Sequence, residues 1–300
     1  MPVEFIRAKP QTVWRWPAVL NFVLGGTGAG LFLAALLLVA VDDPSQSHHV
    51  FRWAQLLAPA LVVLGFAGLS LEAGRPMRAR FLLRGLGHSW TSRETLAAVV
   101  FVGSSMVCWW WPRPAWLALA AAGAMALLLT HGFIFLRCRA VPAWNTPRII
   151  PVFITSGLAT GVGLLLVLSG HWQHAALVFG MSVLVLDIAV WAAYVNGSGD
   201  VALHQAMRRL RRRLFGVLLL GVLRGGPVLL LAAATGGSVD AANVLIALAG
   251  GLAVLGGIIQ KAGVIRAAGR LRAIELPAPE LLAHGASADP MTAVPVRSKV

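Results

Sequence analysis

The chain has 300 residues, of which 58% are hydrophobic and only 12% are charged. Soluble domains carry about 25% charged residues, so this composition excludes an ordinary soluble domain; the long apolar blocks indicate a polytopic membrane protein. The formal net charge of +14 does not indicate nucleic-acid binding, because almost all the basic residues lie between apolar blocks, where membrane topology explains them.

The N-terminal segment MPVEFIRAKPQTVWRW lacks the features of a signal peptide, so we expect the first apolar run to remain in the mature chain. The two cysteines, Cys108 and Cys138, are too few for an iron–sulfur cluster, a disulfide framework or a zinc site.

Eight apolar runs follow along the chain, each close to the roughly 20 residues that a spanning helix needs. The predicted fold class is therefore an all-α integral membrane protein with eight transmembrane helices. An even number of spans puts both termini on one side of the membrane, which we name side A, opposite side B. The predicted spans are 16–41, 54–72, 94–111, 115–136, 151–169, 175–195, 214–234 and 241–261.

The basic residues and the tryptophans support this topology. All Lys and Arg residues except Arg52, Arg113 and Arg224 fall on side A, and this asymmetry assigns side A to the cytoplasm. Tryptophans lie at both predicted interfaces, as is typical of aromatic belts. On side A they are Trp14, Trp16, Trp90 and Trp144, and on side B they are Trp53, Trp109, Trp110, Trp111, Trp116 and Trp172.

A short internal repeat indicates two related halves. We therefore predict two parallel four-helix bundles, 1–136 and 137–272, followed by a loosely ordered tail, 273–300. Small residues at every fourth position also allow close helix packing, which would explain the same spacing without a repeat. The two triplets, both in helices that enter from side A, are Phe22, Gly26, Gly30 and Phe153, Gly157, Gly161.

Polar residues in the spans are candidates for a functional site, because ionisable groups are costly inside a bilayer. Except for Arg224 near the midplane, these polar residues lie in the half of the membrane that faces side A. We expect the half that faces side B to be dry, with few strongly polar side chains. Asp187 and Arg224 should face inward and neutralise one another. Such a pair could support the function or could be a purely structural salt bridge. The residues are Asn21, Glu72, Glu94, His131, Asp187 and Arg224.

Glu72 and Glu94 close one run and open the next, with five arginines between them. One alternative is that they are interfacial carboxylates neutralised by these arginines. The other is quinone chemistry, since quinol oxidation releases two protons and two electrons near an interface. A carboxylate can then exchange a proton with the quinone oxygen, while an amide or imidazole holds the other oxygen.

Haem is a competing cofactor, because a membrane b-type haem generally uses two axial histidines within the helices. Of the eight histidines, only His131 lies well inside a predicted span, so we expect no buried haem. A single histidine at this depth is more typical of a packing residue than of a ligand, although it could join the polar cluster.

Four segments resemble the membrane subunits of the polysulfide reductase and formate-dependent nitrite reductase type, and the related dimethyl sulfoxide reductase anchors. The pairing of GRP with SWxSRE in the second segment is the most specific feature. The segments are WPAVLNFVLGGTGAGLFLAALLL (16–38), EAGRPMRARFLLRGLGHSWTSRE (72–94), PAWNTPRIIPVFITSGLATGVGLLL (142–166) and, more weakly, GGIIQKAGVIRAAG (256–269).

The resemblance implies a haem-free, eight-helix subunit that exchanges electrons between membrane quinone and an iron–sulfur subunit serving a molybdopterin catalytic subunit. The acid that follows SWxSR, tied to quinol binding in the anchor group, falls on Glu94. Glu72 stands ahead of GRP, where that group commonly has His. Asn21 matches a polar residue that lines the quinone pocket early in the first helix.

We therefore predict the quinone-reactive subunit of a multi-subunit oxidoreductase of the bacterial inner membrane, taking menaquinone or ubiquinone. Glu94 and Glu72 are the predicted catalytic groups, joined in quinone binding by Asn21, His131 and Trp90. Asp187 and Arg224 are predicted supporting charges. The 4Fe–4S clusters and molybdopterin belong to partner subunits.

Basic loops on side A would dock the acidic face of a ferredoxin-like iron–sulfur subunit. Two other functions stay open at this point. A secondary transporter would use the repeats and the charges of Asp187 and Arg224, and a passive membrane anchor would have no quinone site. The predicted docking residues are Arg75, Arg78, Arg80, Arg84, Arg208, Arg209 and Arg211.

Overall fold

The fold is an α-helical bundle with one small sheet at its end. The computed structural model describes residues 3–6, 9–41, 44–72, 84–169, 174–197, 201–210, 217–236, 238–271 and 274–276. Helices α1 to α5 are Trp16–Val41, Pro44–Glu72, Trp90–Trp110, Pro114–Leu136 and Ile149–Leu168. Helices α6 to α9 are His174–Val195, Val201–Leu210, Gly226–Ala234 and Val239–Ala262. Two π-helical segments are Val217–Gly225 and Gly263–Ala267, and strands β1 and β2 are Val3–Ile6 and Ile274–Leu276.

Six helices in the described part of the chain are long and apolar enough to cross a bilayer, so the protein is a multi-pass membrane protein. They are α1, α2, α4, α5, α6 and α9 with its π-helical extension. The apolar spans are Trp16–Ala40, His48–Ser70, Pro114–Leu136, Ile149–Leu168, Ala176–Val195 and Val239–Ala267.

The other two predicted spans are helical but less regular. Helix α3 opens with a polar turn that includes Arg93 and Glu94, and this turn lowers its apolar content. The predicted span 214–234 divides into the π-helical segment and the nine-residue helix α8, with Pro227 in the first turn of α8. Proline has no N–H for the helical ladder, so it favours a helix start here. Eight crossings therefore stay a prediction.

The two glycine triplets pack against each other where α1 crosses α5. A Cβ added at Gly30 would overlap the carbonyl oxygen of Gly157, and one added at Gly161 would overlap the carbonyl carbon of Gly30. The two backbones therefore touch, as small residues allow in membrane helices. Close packing thus explains the spacing, while the relation of the two halves as repeats stays a prediction.

Part of the predicted loop before the seventh span is a helix. Helix α7 buries Leu203, Ala206, Met207 and Leu210, at the spacing expected for one face of an amphipathic helix, and exposes Arg208. Arg208 and Arg209, which we predicted to lie in a basic loop, are therefore part of a helix.

The two ends of the described chain meet at one end of the bundle. Strand β1 pairs with β2 in antiparallel fashion, with Val3 opposite Leu276. The Gln11 N–H donates to the Gly269 carbonyl at 2.9 Å. Strand β2 lies at the start of the tail 273–300, whose loose order stays a prediction; residues 277–300 lie outside the described residues.

Candidate functional site

Three helices bring a buried polar cluster together at the side A end of the bundle. Glu94 of α3 is 1% exposed, and its Oε1 accepts a hydrogen bond from Asn21 Nδ2 of α1 at 3.0 Å. The same oxygen lies 3.2 Å from His131 Nε2 of α4. Three of the residues that we predicted from sequence as quinone-site residues therefore meet at one carboxylate.

Local interactions fix where α3 begins and hence where Glu94 lies. The Ser89 side chain caps the helix by accepting a hydrogen bond from the Ser92 N–H at 3.3 Å. Arg93 donates to the carbonyls of Leu86 and Gly87 at 3.0 and 3.1 Å, which ties the preceding loop to the first turn. The Glu94 carboxylate thus lies in a helix turn that is stabilised by its cap and by the Arg93 hydrogen bonds.

Several polar atoms of this cluster have no hydrogen-bond partner among the described residues. They are Asn21 Oδ1 and both ring nitrogens of His131. His131 Nε2 lies within ion-pair distance of Glu94 but does not have hydrogen-bond geometry toward it. Buried polar groups are nearly always partnered, so such atoms are available to the polar groups of a ligand or of water.

A cavity of about 340 Å³ opens beside Glu94 and Asn21. This volume lies in the range of small-molecule sites, about 300–1,000 Å³, which are apolar with a few placed polar groups. Thr91 adds a hydroxyl to the wall, and the remainder is apolar. The other lining residues are Val13, Trp14, Ala18, Phe22, Leu69 and Ile134.

Aromatic rings and two glycines hold His131 and Asn21 in place. Trp14 stacks on Phe22 at 5.3 Å, and the Phe22 ring meets His131 edge to face at 4.9 Å. A Cβ added at Gly25 would lie 3.2 Å from His131 Cε1, and one at Gly65 would lie 3.2 Å from Asn21 Oδ1. We did not predict either glycine as part of the site, because nothing in a single apolar helix reveals which residue its neighbour will contact.

Trp90 and Glu72, the other two predicted quinone-site residues, are not seen among the described residues that line the cavity. Trp90 stacks on Phe133 of α4 at 4.3 Å, with the Arg93 guanidinium 4.3 Å from its ring centroid, so it lies in the α3–α4 contact and not in the lining of the cavity. Glu72 is the last residue of α2, and its side chain lies outside the described residues. Leu69, three residues earlier, lines the cavity, so the end of α2 adjoins the site.

A second buried polar cluster contains the predicted supporting charges. Arg224 Nη1 lies 2.6 Å from Asp187 Oδ2, and Thr155 Oγ1 donates to Asp187 Oδ1 at 2.9 Å. Arg224 also donates to Gln260 Oε1. Asp187 and Arg224 therefore face inward and lie in ion-pair contact, as we expected, while their supporting role in function stays a prediction.

Lys261 corrects our charge count, which assigned it to the side A surface. It is 2% exposed, and its Nζ has no hydrogen-bond partner among the described residues. Helix α9 continues to Ala262 and the π-helical segment extends it to Ala267, so Lys261 lies inside the bundle. The apolar residues that follow Lys261 were the sequence signal of this burial.

Helix α1 separates the two clusters. A Cβ added at Gly26 would lie 3.3 Å from Lys261 Nζ, whereas the neighbouring Gly25 adjoins His131. Buried polar residues therefore lie on both sides of α1, with His131 of α4 on one side and Lys261 of α9 on the other.

Two further expectations need correction. Trp144, which we assigned to an interface, is buried and donates from Nε1 to the Val264 carbonyl at 2.9 Å. The half facing side B is not uniformly dry, because Gln55 and Ser105 are buried there, with Ser105 Oγ donating to the Gln55 carbonyl at 2.9 Å.

The predicted docking arginines are only partly described. Arg84 and Arg208 are exposed, as docking requires. Arg93, which we counted with the loop arginines, is engaged with its own loop and with Trp90. The side chains outside the described residues are those of Arg75, Arg78, Arg80, Arg209 and Arg211.

Comparisons with known proteins agree with this architecture. The profile of the family "DMSO reductase anchor subunit (DmsC)" matches residues 11–196, more than half of the chain and the part that contains Asn21, Glu94 and His131. The chain is also 26% identical over 241 residues to a sulfite dehydrogenase subunit from Allochromatium vinosum, with 72% of each chain covered. The protein therefore belongs to the DMSO reductase anchor subunit family, the membrane anchor subunits of molybdopterin oxidoreductases.

Proposed function

We propose that this chain is a haem-free membrane subunit that exchanges electrons between membrane quinone or quinol and an iron–sulfur subunit of a molybdopterin oxidoreductase complex. The observation that carries the proposal is the meeting of Glu94, Asn21 and His131 beside a cavity at one end of the bundle. The cavity combines an apolar wall with polar atoms, as binding of a flat ring with two oxygens requires.

The chemistry follows from the groups around Glu94. When a quinol is oxidised, both O–H bonds break, two protons leave and two electrons pass to the iron–sulfur partner. The Glu94 carboxylate accepts a proton from the nearer hydroxyl, and Asn21 orients this carboxylate through its 3.0 Å hydrogen bond. His131, 3.2 Å from the same carboxylate, receives or stabilises the proton. Quinone reduction runs through the same groups in reverse.

Glu72 is proposed as a second proton-exchanging group, because α2 ends beside the cavity at Leu69. Trp90 contributes by holding α3 against α4, through its stacking on Phe133. The proposed substrate is menaquinone or ubiquinone, whose apolar tail would follow the apolar lining toward the bilayer.

The proposed partner docks on side A, near the quinone site. Arg84 and Arg208 are exposed basic residues, and basic surfaces steer acidic partners. The family and the sulfite dehydrogenase relative support a complex in which substrate chemistry occurs in another polypeptide. We infer eight crossings in a bacterial inner membrane, with both termini and the partner in the cytoplasm.

A Glu94→Gln variant of the assembled complex tests the role of the carboxylate. General acid–base groups typically contribute about 10²–10⁴-fold, so we expect quinol-dependent turnover to fall at least about 100-fold. Turnover with an artificial electron donor to the iron–sulfur subunit should be unchanged. Asp240→Asn, an exposed carboxylate at the start of α9, is the matched control and should keep full activity.

Activity and purification of the complex separate the proposal from its two alternatives, a passive anchor and a secondary transporter. A passive anchor would retain quinol-dependent turnover in the Glu94→Gln variant with the complex assembled. A secondary transporter would purify without an iron–sulfur protein. Either result would overturn the proposal.

A further inference from the structure

A second cavity, of about 430 Å³, lies at the side B end of helices α1 to α4. Its apolar wall is formed by Leu36 and Val39 of α1, Phe51 of α2 and Leu117 of α4. Cys108 of α3 lines this cavity, whereas Glu94 of the same helix lines the first one. With 1.5 Å of rise per residue, the two positions are about 21 Å apart along the axis, so the two cavities are separate.

The charge at this cavity is unusual for its side of the membrane. Arg52 and Arg113 both line it, and they are the two basic residues that we assigned to side B. Arginine is normally scarce in loops on the non-cytoplasmic side. The described residues that line the cavity include no Asp or Glu. Two guanidinium groups at an apolar cavity favour an anion.

A buried amide also lines this cavity, and one of the two arginines packs against an aromatic ring. Gln55 is 6% exposed, lines the cavity, and has the weakly accepting Cys108 Sγ, 3.5 Å from Nε2, as its side-chain contact. The Arg52 guanidinium is held 4.3 Å from the ring centroid of Trp109. Amide and guanidinium N–H groups are therefore positioned beside the cavity.

The surroundings identify the kind of anion. Trp53, Trp110 and Trp111 are largely exposed at this end, and such tryptophans mark the headgroup level of a bilayer. A free phosphate would use the arginines and leave the apolar wall unused. An anionic phospholipid uses both, with its phosphate at the arginines and the start of its acyl chains along Leu36, Val39 and Leu117.

From this combination we propose that the side B cavity is a binding site for one anionic phospholipid, with the phosphate held by Arg52 and Arg113 and hydrogen-bonded by Gln55. The bound lipid fills the space between α1, α2 and the α3–α4 connection. It is distinct from the quinone site and does not depend on the function proposed there.

Native mass spectrometry of the purified full-length protein, in its complex, tests this site with three probes: phosphatidylglycerol, phosphatidylcholine and inorganic phosphate. We expect one tightly retained phosphatidylglycerol. The Arg52→Gln/Arg113→Gln variant should lose it, since each arginine near a lipid phosphate is worth roughly fivefold in affinity. Arg137→Gln/Arg139→Gln, which alters two arginines on side A, is the matched control and should retain the lipid.

A second variant tests the apolar wall without touching charge. Leu117→Trp should fill the cavity and displace the lipid while both arginines remain. Equal retention of phosphatidylcholine, binding of phosphate alone at similar occupancy, or undiminished phosphatidylglycerol in both variants would overturn the proposal.

Asp42 and Asp43, in the connection between α1 and α2, lie outside the described residues. If Asp42→Asn/Asp43→Asn lowers thermal stability as much as the arginine changes do, and lipid retention does not change in any variant, the arginines serve an ion pair instead.

Discussion

Glu94 on α3 and His131 on α4 place Oε1 and Nε2 3.2 Å apart in the interior of the bundle. Asn21 of α1 donates to the same carboxylate oxygen. Side chains of helices α1, α3 and α4 therefore meet at one oxygen atom, beside the cavity. Any group that binds in this cavity meets a carboxylate that an amide already orients and that an imidazole adjoins.

His131→Asn tests the contribution of the imidazole. We expect quinol-dependent turnover to fall by up to about 100-fold, because the imidazole 3.2 Å from the Glu94 carboxylate is lost and the carboxylate can shift. Small misplacements of a reacting group have effects of this size. Steady-state turnover with a water-soluble quinol analogue measures the loss. His88→Asn, at an exposed histidine near the start of α3, is the control. Full activity of His131→Asn would exclude a role for the imidazole.

Gly161→Ala should destabilise the protein, because a Cβ there overlaps the backbone of Gly30. Overpacking of this kind typically costs about 1–3 kcal/mol. Gly251→Ala in α9 is the matched control, since a Cβ there meets open space. Alanine is preferred to glycine in a helix by roughly 0.5–1 kcal/mol, so the control should be neutral or more stable. Thermal unfolding in detergent compares the two; equal shifts would show that α1 and α5 are not in close contact.

The Asp187–Arg224 pair should behave as a unit. Asp187→Leu alone leaves the Arg224 guanidinium buried without its carboxylate, and such changes cost about 3–5 kcal/mol. The double variant Asp187→Leu/Arg224→Met should recover much of this loss, because it removes both charges. A double-mutant cycle on the free energy of unfolding gives the coupling between them. Additive losses would contradict the pairing.

Lys261→Met should stabilise the protein. The amine is buried and has no hydrogen-bond partner among the described residues, and a buried polar group without a partner costs about 1–3 kcal/mol. Methionine has a similar length and flexibility, so the packing beside Gly26 is retained. A rise in the midpoint of thermal unfolding supports this interpretation. A fall would show that Lys261 makes a stabilising interaction.

Trp144→Phe should destabilise the side A end of the bundle. The change keeps an aromatic ring but removes the indole N–H that donates to the Val264 carbonyl at 2.9 Å. Leaving a buried carbonyl without its donor costs about 1–3 kcal/mol. Trp110→Phe, at a largely exposed tryptophan of α3, serves as the comparison. If both variants unfold at the wild-type temperature, the hydrogen bond contributes nothing measurable.

The sequence by itself determined the class of protein, the places where most helices lie and the depth of the polar residues. Hydropathy and the positions of Lys and Arg are local properties, and a bilayer acts on each segment separately, so these features can be read one segment at a time. They placed Asn21, Glu94 and His131 at similar depth. They could not decide that these three side chains share one oxygen atom.

Only the tertiary structure decided which helix faces meet. The contact of Gly30 with Gly157, the burial of Lys261 and Trp144, and the cavity beside Arg52 and Arg113 all depend on how each helix is rotated and where its neighbours lie. The spans are apolar around nearly their whole circumference, so periodicity does not reveal an inner face. Rotation is set instead by close packing among many residues, and that is a property of the assembled bundle.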